Sequence, residues 1–80
     1  MSKIWKRLAR MKRDLRDDWT IEDVATVCRN FGLDCQAPRN GSHFTVSHPR
    51  INGLLTIPAR RPIKSIYIIL LVEMIESLEQ

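Results

Sequence analysis

His43 is the residue of this chain best suited to do chemistry. It follows Gly41-Ser42 and opens a polar row, His43, Thr45 and Ser47, that alternates with Phe44 and Val46. That is the two-residue period of a half-buried strand. An isolated strand histidine is most often a polar surface residue, but this one has suggestive neighbours. Gly41 lets a ligand approach the backbone closely, and Ser42 adds a hydroxyl and an amide. Arg39, Arg60, Arg61 and Lys64 fall in the turns at the strand's starting end or ahead of the last helix, where a phosphate can be held. An imidazole among cations suits cleavage of an RNA backbone. One proton must leave the ribose 2′-hydroxyl, one must reach the departing oxygen, and imidazole exchanges protons near neutral pH. The candidate catalytic residue is therefore His43. The candidate RNA or phosphate contacts are Gly41, Ser42, Arg39, Arg60, Arg61 and Lys64.

Other chemistries are less well served. Cys28, Cys35, His43 and His48 are potential zinc ligands, but the six, seven and four residues between them match no common zinc module. Both cysteines fall on expected core faces, where the thiol behaves as a small apolar group. His48 has the parity of Phe44 and Val46 and reads as a structural residue at the strand end. No Ser-His-Asp order, phosphate-cradling loop or paired-carboxylate pattern is visible. The expected chemistry uses no metal and no cofactor.

The elements that must position His43 can be read from period and punctuation. Ile4, Leu8, Met11, Leu15 and Trp19 form one helical stripe, with Trp5 at its edge and Lys6, Arg10 and Arg13 opposite. Thr20 and Asp23 have the spacing of a capping box and start a second helix. Ile21, Val24, Ala25, Cys28 and Phe31 share a face of it, and Gly32 supplies a left-handed stop. Leu33, Cys35 and Ala37 then alternate as a first strand. Pro38 to Gly41 turns the chain into the His43 strand, Asn52-Gly53 marks a second hairpin, and Leu54–Ile57 return as a third strand stopped by Pro58. From Pro62 to Gln80 the chain reads as a helix that is apolar on two sides. One stripe is Ile63, Ile66, Tyr67, Leu70, Leu71, Met74 and Leu78, the other Ile68, Val72 and Ile75. Such a helix needs two partners: the sheet, and either the first helix or another chain.

The expected architecture is α+β, a helix, three antiparallel strands and a helix, with an extra helix in front. Residues 1–19 form the basic amphipathic helix and 20–80 the body. Both main helices cover one face of the sheet, and the other face carries Asp34, Gln36, His43, Thr45, Ser47, Leu54 and Thr56.

Eighty residues make one small domain with little core to spare. The net charge of +4 resides in residues 1–19, with seven basic and three acidic groups, while residues 20–80 carry six of each sign. That segment suits a polyanion such as RNA, and a solvated helix face has the same composition. The basic N-terminus has no apolar region behind it, so no targeting sequence is expected. The longest apolar run, Ile66 to Val72, has seven residues, against the roughly 20 of a membrane span. A cytoplasmic location and no membrane association are expected.

Gly41-Ser42-His43 followed by Phe44-Thr45-Val46, and Leu55-Thr56-Ile57-Pro58 closing the third strand, resemble the HicA toxins of bacterial toxin–antitoxin pairs. The segment Arg60-Arg61-Pro62-Ile63-Lys64 leading into Ile66-Tyr67, and Trp19-Thr20-Ile21-Glu22-Asp23 at the first body helix, resemble one branch of them. The likeness is good over roughly residues 19–78 and loose before that. Many members have a second histidine where this chain has Phe44, and glycines where it has Arg60-Arg61. The resemblance implies a double-stranded-RNA-binding-domain-like α-β-β-β-α fold and metal-independent mRNA cleavage with the catalytic histidine at His43. It also implies a HicB-type antitoxin partner that covers the site, and no direct DNA binding except through that antitoxin. A non-catalytic RNA-binding module of the same fold and a partner-binding assembly protein are the alternative readings of the residues.

Overall fold

The computed structural model describes residues 3–78, with side chains from Trp5 to Leu78. Expectations for Met1, Ser2, the side chains of Lys3 and Ile4, Glu79 and Gln80 lie outside the described residues. The element order is α1 (Lys3–Arg13), α2 (Ile21–Asn30), β1 (Asp34–Gln36), β2 (His43–Ser47), β3 (Leu55–Pro58) and α3 (Ser65–Ser77). The fold is α+β, with three helices and one three-stranded antiparallel sheet of order β1-β2-β3.

Helix α1 is shorter than the stripe predicted. It stops at Arg13 because acidic residues follow where the helix C-terminus already carries partial negative charge. Asp17 turns away from helical pairing: its carboxylate accepts the Asp18 N–H at 2.8 Å, while its own N–H donates to the Asp14 carbonyl. Leu15 and Trp19 nevertheless reach the core from this linker. The Trp19 indole N–H donates to the Asp14 carbonyl at 2.7 Å, and the Arg10 guanidinium lies 5.2 Å from its ring centroid. The predicted edge residue, Trp5, meets Phe31 edge-to-face at 5.1 Å.

Helix α2 starts as its capping pattern predicts. The Thr20 hydroxyl accepts the Asp23 N–H at 3.2 Å, and the Asp23 carboxylate accepts the Thr20 N–H at 2.9 Å. Gly32, at φ 75°, reverses the chain, so that the Leu33 N–H returns to the Cys28 carbonyl at 2.8 Å.

In the sheet, Asp34 pairs with Ser47, Gln36 with Thr45, Thr45 with Thr56, and His43 with Pro58. These residues share the solvent side and are exposed or half-buried. Cys35, Val46 and Leu55 form a row on the opposite side, as do Phe44 and Ile57. The sidedness predicted from alternation therefore holds, while the second hairpin differs from a tight Asn52-Gly53 turn. Pairing ends at Val46–Leu55, and a longer loop begins at His48. The His48 carbonyl accepts the Ile51 N–H at 3.0 Å.

Helix α3 begins at Ser65, not Pro62. Ile63 is buried ahead of it, and its N–H donates to the Trp19 carbonyl at 2.8 Å. Both expected stripes find cover: Ile68, Val72 and Ile75 of one are buried, as are Ile63 and Leu71 of the other, whose Ile66 and Leu70 are 51% and 38% exposed. Helix α1 packs on α3, with Leu8 and Met11 in the same core as Ile68 and Ile75. Lys12 also bonds Glu76 of α3 at 2.6 Å. Burying several such side chains contributes about 1.5–3 kcal/mol each. Among the described residues, no helix is long and apolar enough to cross a membrane.

Candidate active site

Gly41, at φ 87°, adopts a left-handed conformation that a side chain would strain, and it delivers the chain into β2 with His43 as first residue. Just before the strand, the Ser42 carbonyl accepts the Ala59 N–H at 2.6 Å. That bond extends the β2–β3 ladder one step past His43–Pro58 and fixes the level at which the β3–α3 linker departs. The linker, Ala59 to Lys64, then crosses to the start of α3.

A pocket of about 240 Å³ lies at this junction. His43 and Ser42 line it from β2, Pro58 from the end of β3, Arg60, Pro62 and Lys64 from the linker, and Tyr67 from the first turn of α3. It sits at the end of the sheet and not across its open face, since the mid-strand residues Thr45 and Thr56 do not line it. His43 is exposed. It makes no side-chain hydrogen bond to another described residue, which leaves both ring nitrogens for a ligand or water. Lys64 is the N-cap of α3 and its side chain makes no capping bond. Uncapped first-turn N–H groups of a helix are open to water or an anion.

The structure brings together four of the seven residues singled out in the sequence: Ser42, His43, Arg60 and Lys64. Arg39 is exposed in the β1–β2 turn and does not line the pocket, and Gly41 shapes the strand entry without lining it. Arg61 points elsewhere. Its guanidinium binds the Asp18 carboxylate through Nε at 3.0 Å and Nη2 at 2.6 Å. The hydrogen bond from Arg61 holds the Asp18 carboxyl below its ordinary range, and Asp18 raises the Arg61 guanidinium in turn. The sequence puts Arg60 and Arg61 side by side; the fold turns one to the pocket and the other to Asp18. The sequence reading missed Pro58, Pro62 and Tyr67; Tyr67, which alone of the three brings a polar side-chain group, was missed because its spacing also places it on an apolar stripe. The available signal was its position three residues after Lys64, which puts both at the same helical end.

The remaining candidates serve structure. His48 Nδ1 accepts the Arg50 N–H at 3.0 Å and so closes the turn after β2. Cys28 is fully buried, and burial pushes its thiol up to about 12; Cys35 is raised for the same first reason. Neither is a thiolate at neutral pH. Among the described residues, no three His, Cys, Asp or Glu side chains group as metal ligands.

No protein-family model, curated protein or solved structure matches this chain.

Proposed function

We propose that this chain is a HicA-type toxin, a metal-independent endoribonuclease acting on mRNA and held in check by a HicB-type antitoxin. The observation that carries the reading is the pocket lined by Ser42, Arg60, Lys64 and His43, whose imidazole has no hydrogen-bond partner among the described residues. Within this reading, residues 20–78 correspond to a double-stranded-RNA-binding-domain-like unit and α1 is an addition to it.

The chemistry follows from the lining. Arg60 and Lys64 hold the scissile phosphate and offset the charge that builds on its oxygens in the transition state. His43 takes the proton of the ribose 2′-hydroxyl as that oxygen attacks phosphorus. The bond from phosphorus to the 5′-oxygen breaks, and the leaving oxygen takes up a proton from imidazolium or water, leaving a cyclic phosphate and a 5′-hydroxyl. DNA lacks the attacking group. An antitoxin that occupies the same cations with carboxylates would exclude RNA from His43.

The test is direct. Purified protein, incubated with single-stranded RNA and with DNA of the same sequence in excess EDTA, is expected to cut the RNA and leave the DNA whole. RNA that stays intact while it binds the protein would reduce the reading to a non-catalytic RNA-binding module, and cleavage that EDTA stops would put a metal in the mechanism.

A further inference from the structure

The His43 pocket does not end at Lys64. A second groove, of about 380 Å³, is lined by Arg16 and Asp17 from the α1–α2 linker and by Pro62, Ile63, Lys64, Ser65 and Ile66 from the start of α3. Pro62 and Lys64 belong to both cavities. One cation, Lys64, thus stands between the imidazole on one side and Arg16 on the other. Two contacts bring the linkers together: the fork between Arg61 and Asp18, and the Ile63 N–H donating to the Trp19 carbonyl at 2.8 Å. They pin the chain before α2 to the chain before α3, and Arg16 is carried alongside Lys64 as a result.

The charges facing this groove are unequal. Asp17 lines it, but its carboxylate is bonded to Arg10 at 2.9 Å and accepts the Asp18 N–H. Arg16 is exposed and has no ion-pair partner among the described residues, and the same is true of Lys64. The groove therefore offers two uncompensated cations, one of them shared with the pocket. Ile66, half exposed at its edge, offers an apolar surface on which a base can rest.

We infer that the Arg16–Lys64 groove is a second phosphate subsite for single-stranded RNA, continuous with the His43 pocket, so that the protein grips at least two consecutive nucleotides. The inference rests on reading the His43 pocket as an RNA site. It gives the basic N-terminal segment a defined role. Among the described side chains of the segment, Arg16 is the cation that lines this groove, whereas Arg10, Lys12 and Arg13 are engaged with Asp17, Glu76 and Asp14. A single strand fits better than a duplex because the two cavities are separate and meet at Pro62 and Lys64, where a flexible chain can bend from one to the next and present unstacked bases.

The experiment measures binding apart from cleavage. A fluorescently labelled, fully 2′-O-methylated RNA hexanucleotide, which has no attacking hydroxyl, is titrated by anisotropy with the unaltered protein, Arg16→Ala and Arg29→Ala over about 50–200 mM salt. Arg29 is exposed on α2 and lines neither cavity. Arg16→Ala is expected to bind about five- to tenfold more weakly at the low end, with a log–log salt slope reduced by about 0.7, the loss of one phosphate contact on a single strand. Arg29→Ala is expected to match the unaltered protein. Equal affinity and slope for Arg16→Ala overturn the subsite, as does an equal loss in Arg29→Ala, which would mean diffuse charge attraction, or an absence of binding by the unaltered protein. Unmodified RNA is assayed in parallel. Cut RNA with binding indifferent to Arg16 removes the subsite alone, and uncut RNA with binding that depends on Arg16 removes the nuclease reading alone.

Discussion

The β2–β3 ribbon and α3 lie alongside each other and flank a cavity at each end, and the two cavities have opposite chemistry. At the end where β2 starts and α3 starts, the walls are His43, Ser42, Arg60, Lys64 and Tyr67. At the end where β2 finishes, about 17 Å away for five strand residues, a groove of about 370 Å³ is lined by Ile51, Leu54, Leu55, Leu70 and Met74, with Glu73 as its charged group. Each end has a histidine. His48, at the apolar end, has its Nδ1 bound to the Arg50 N–H, whereas His43 is left without a protein partner among the described residues. A reactive group has to stand where the fold does not already use it. The difference between the ends is made by a helix N-terminus and linker cations at one and by a closed turn at the other.

The largest effect should separate the two histidines. His43→Ala is expected to lower RNA cleavage by about 10²–10⁴-fold, the usual worth of a positioned acid or base. Its stability should stay within about 0.5 kcal/mol of the unaltered protein, because the position is exposed. His48→Ala should do the reverse, losing about 1 kcal/mol as the Arg50 N–H gives up its acceptor, with cleavage retained. Cleavage rates and urea unfolding of both proteins decide it. A His48 variant as inactive as the His43 one would erase the distinction between the ends.

Next in size is the division between Arg60 and Arg61. Arg60→Ala removes a pocket cation and is expected to cut cleavage about tenfold, with a comparable loss in binding to an antitoxin that covers the site. Arg61→Ala leaves the pocket lining intact and releases Asp18, so its effect on cleavage should be several-fold smaller. Equal losses in the two proteins would show that the adjacent arginines act as one patch, in spite of the Asp18 fork.

That division explains which parts of the molecule were legible in the sequence. The capping box at Thr20 and Asp23, the Gly32 reversal and the alternation of β2 are local patterns, settled by neighbours within four residues, and they reappear in the structure. The two apolar stripes of α3 were legible, but not which residues within them would stay exposed, because a helix apolar on nearly all sides has little polar surface to rank them. Burial of Ile68 and exposure of Ile66 depend on where α1 docks. The site divides in the same way. His43 follows from strand parity and Ser42 from its place beside His43 at the strand entry, but whether Arg60 or Arg61 faces the pocket is decided by Asp18, 43 residues from Arg61 along the chain. Tyr67 and Arg16 are brought in by the same linker-to-linker contacts.

A smaller effect is expected from acid. The Asp18 carboxyl in the folded protein is held below its ordinary 3.8 by the Arg61 hydrogen bond. A depressed folded value means that the ion pair's contribution is complete above the ordinary value and fades as pH falls through the folded one. Between about pH 5 and 2, melting temperatures of the unaltered protein should therefore fall somewhat more steeply than those of Asp18→Asn, which has already lost the pair. The pair is exposed, so the gap should be modest. Parallel acid limbs would mean that Asp18 and Arg61 do not hold the linkers together in solution.

The smallest effect belongs to the apolar end. Leu54 is 70% exposed and Leu70 38% exposed, so Leu54→Ser removes little buried area and Leu70→Gln removes more. Leu54→Ser should leave stability within about 0.5 kcal/mol, and Leu70→Gln should cost about 1 kcal/mol because Leu70 is partly covered. Their interest lies in cleavage, which is expected to be unchanged in either protein and in the pair combined. On the proposed reading, RNA held by Arg60 and Lys64 at His43 and continuing toward Arg16 would pass along the start of α3, away from Leu70 and Leu54. A loss of cleavage of about tenfold or more in the combined variant, with the fold intact by circular dichroism, would mean that the substrate runs the length of the ribbon. The two ends would then be one binding surface, with a polar half and an apolar half.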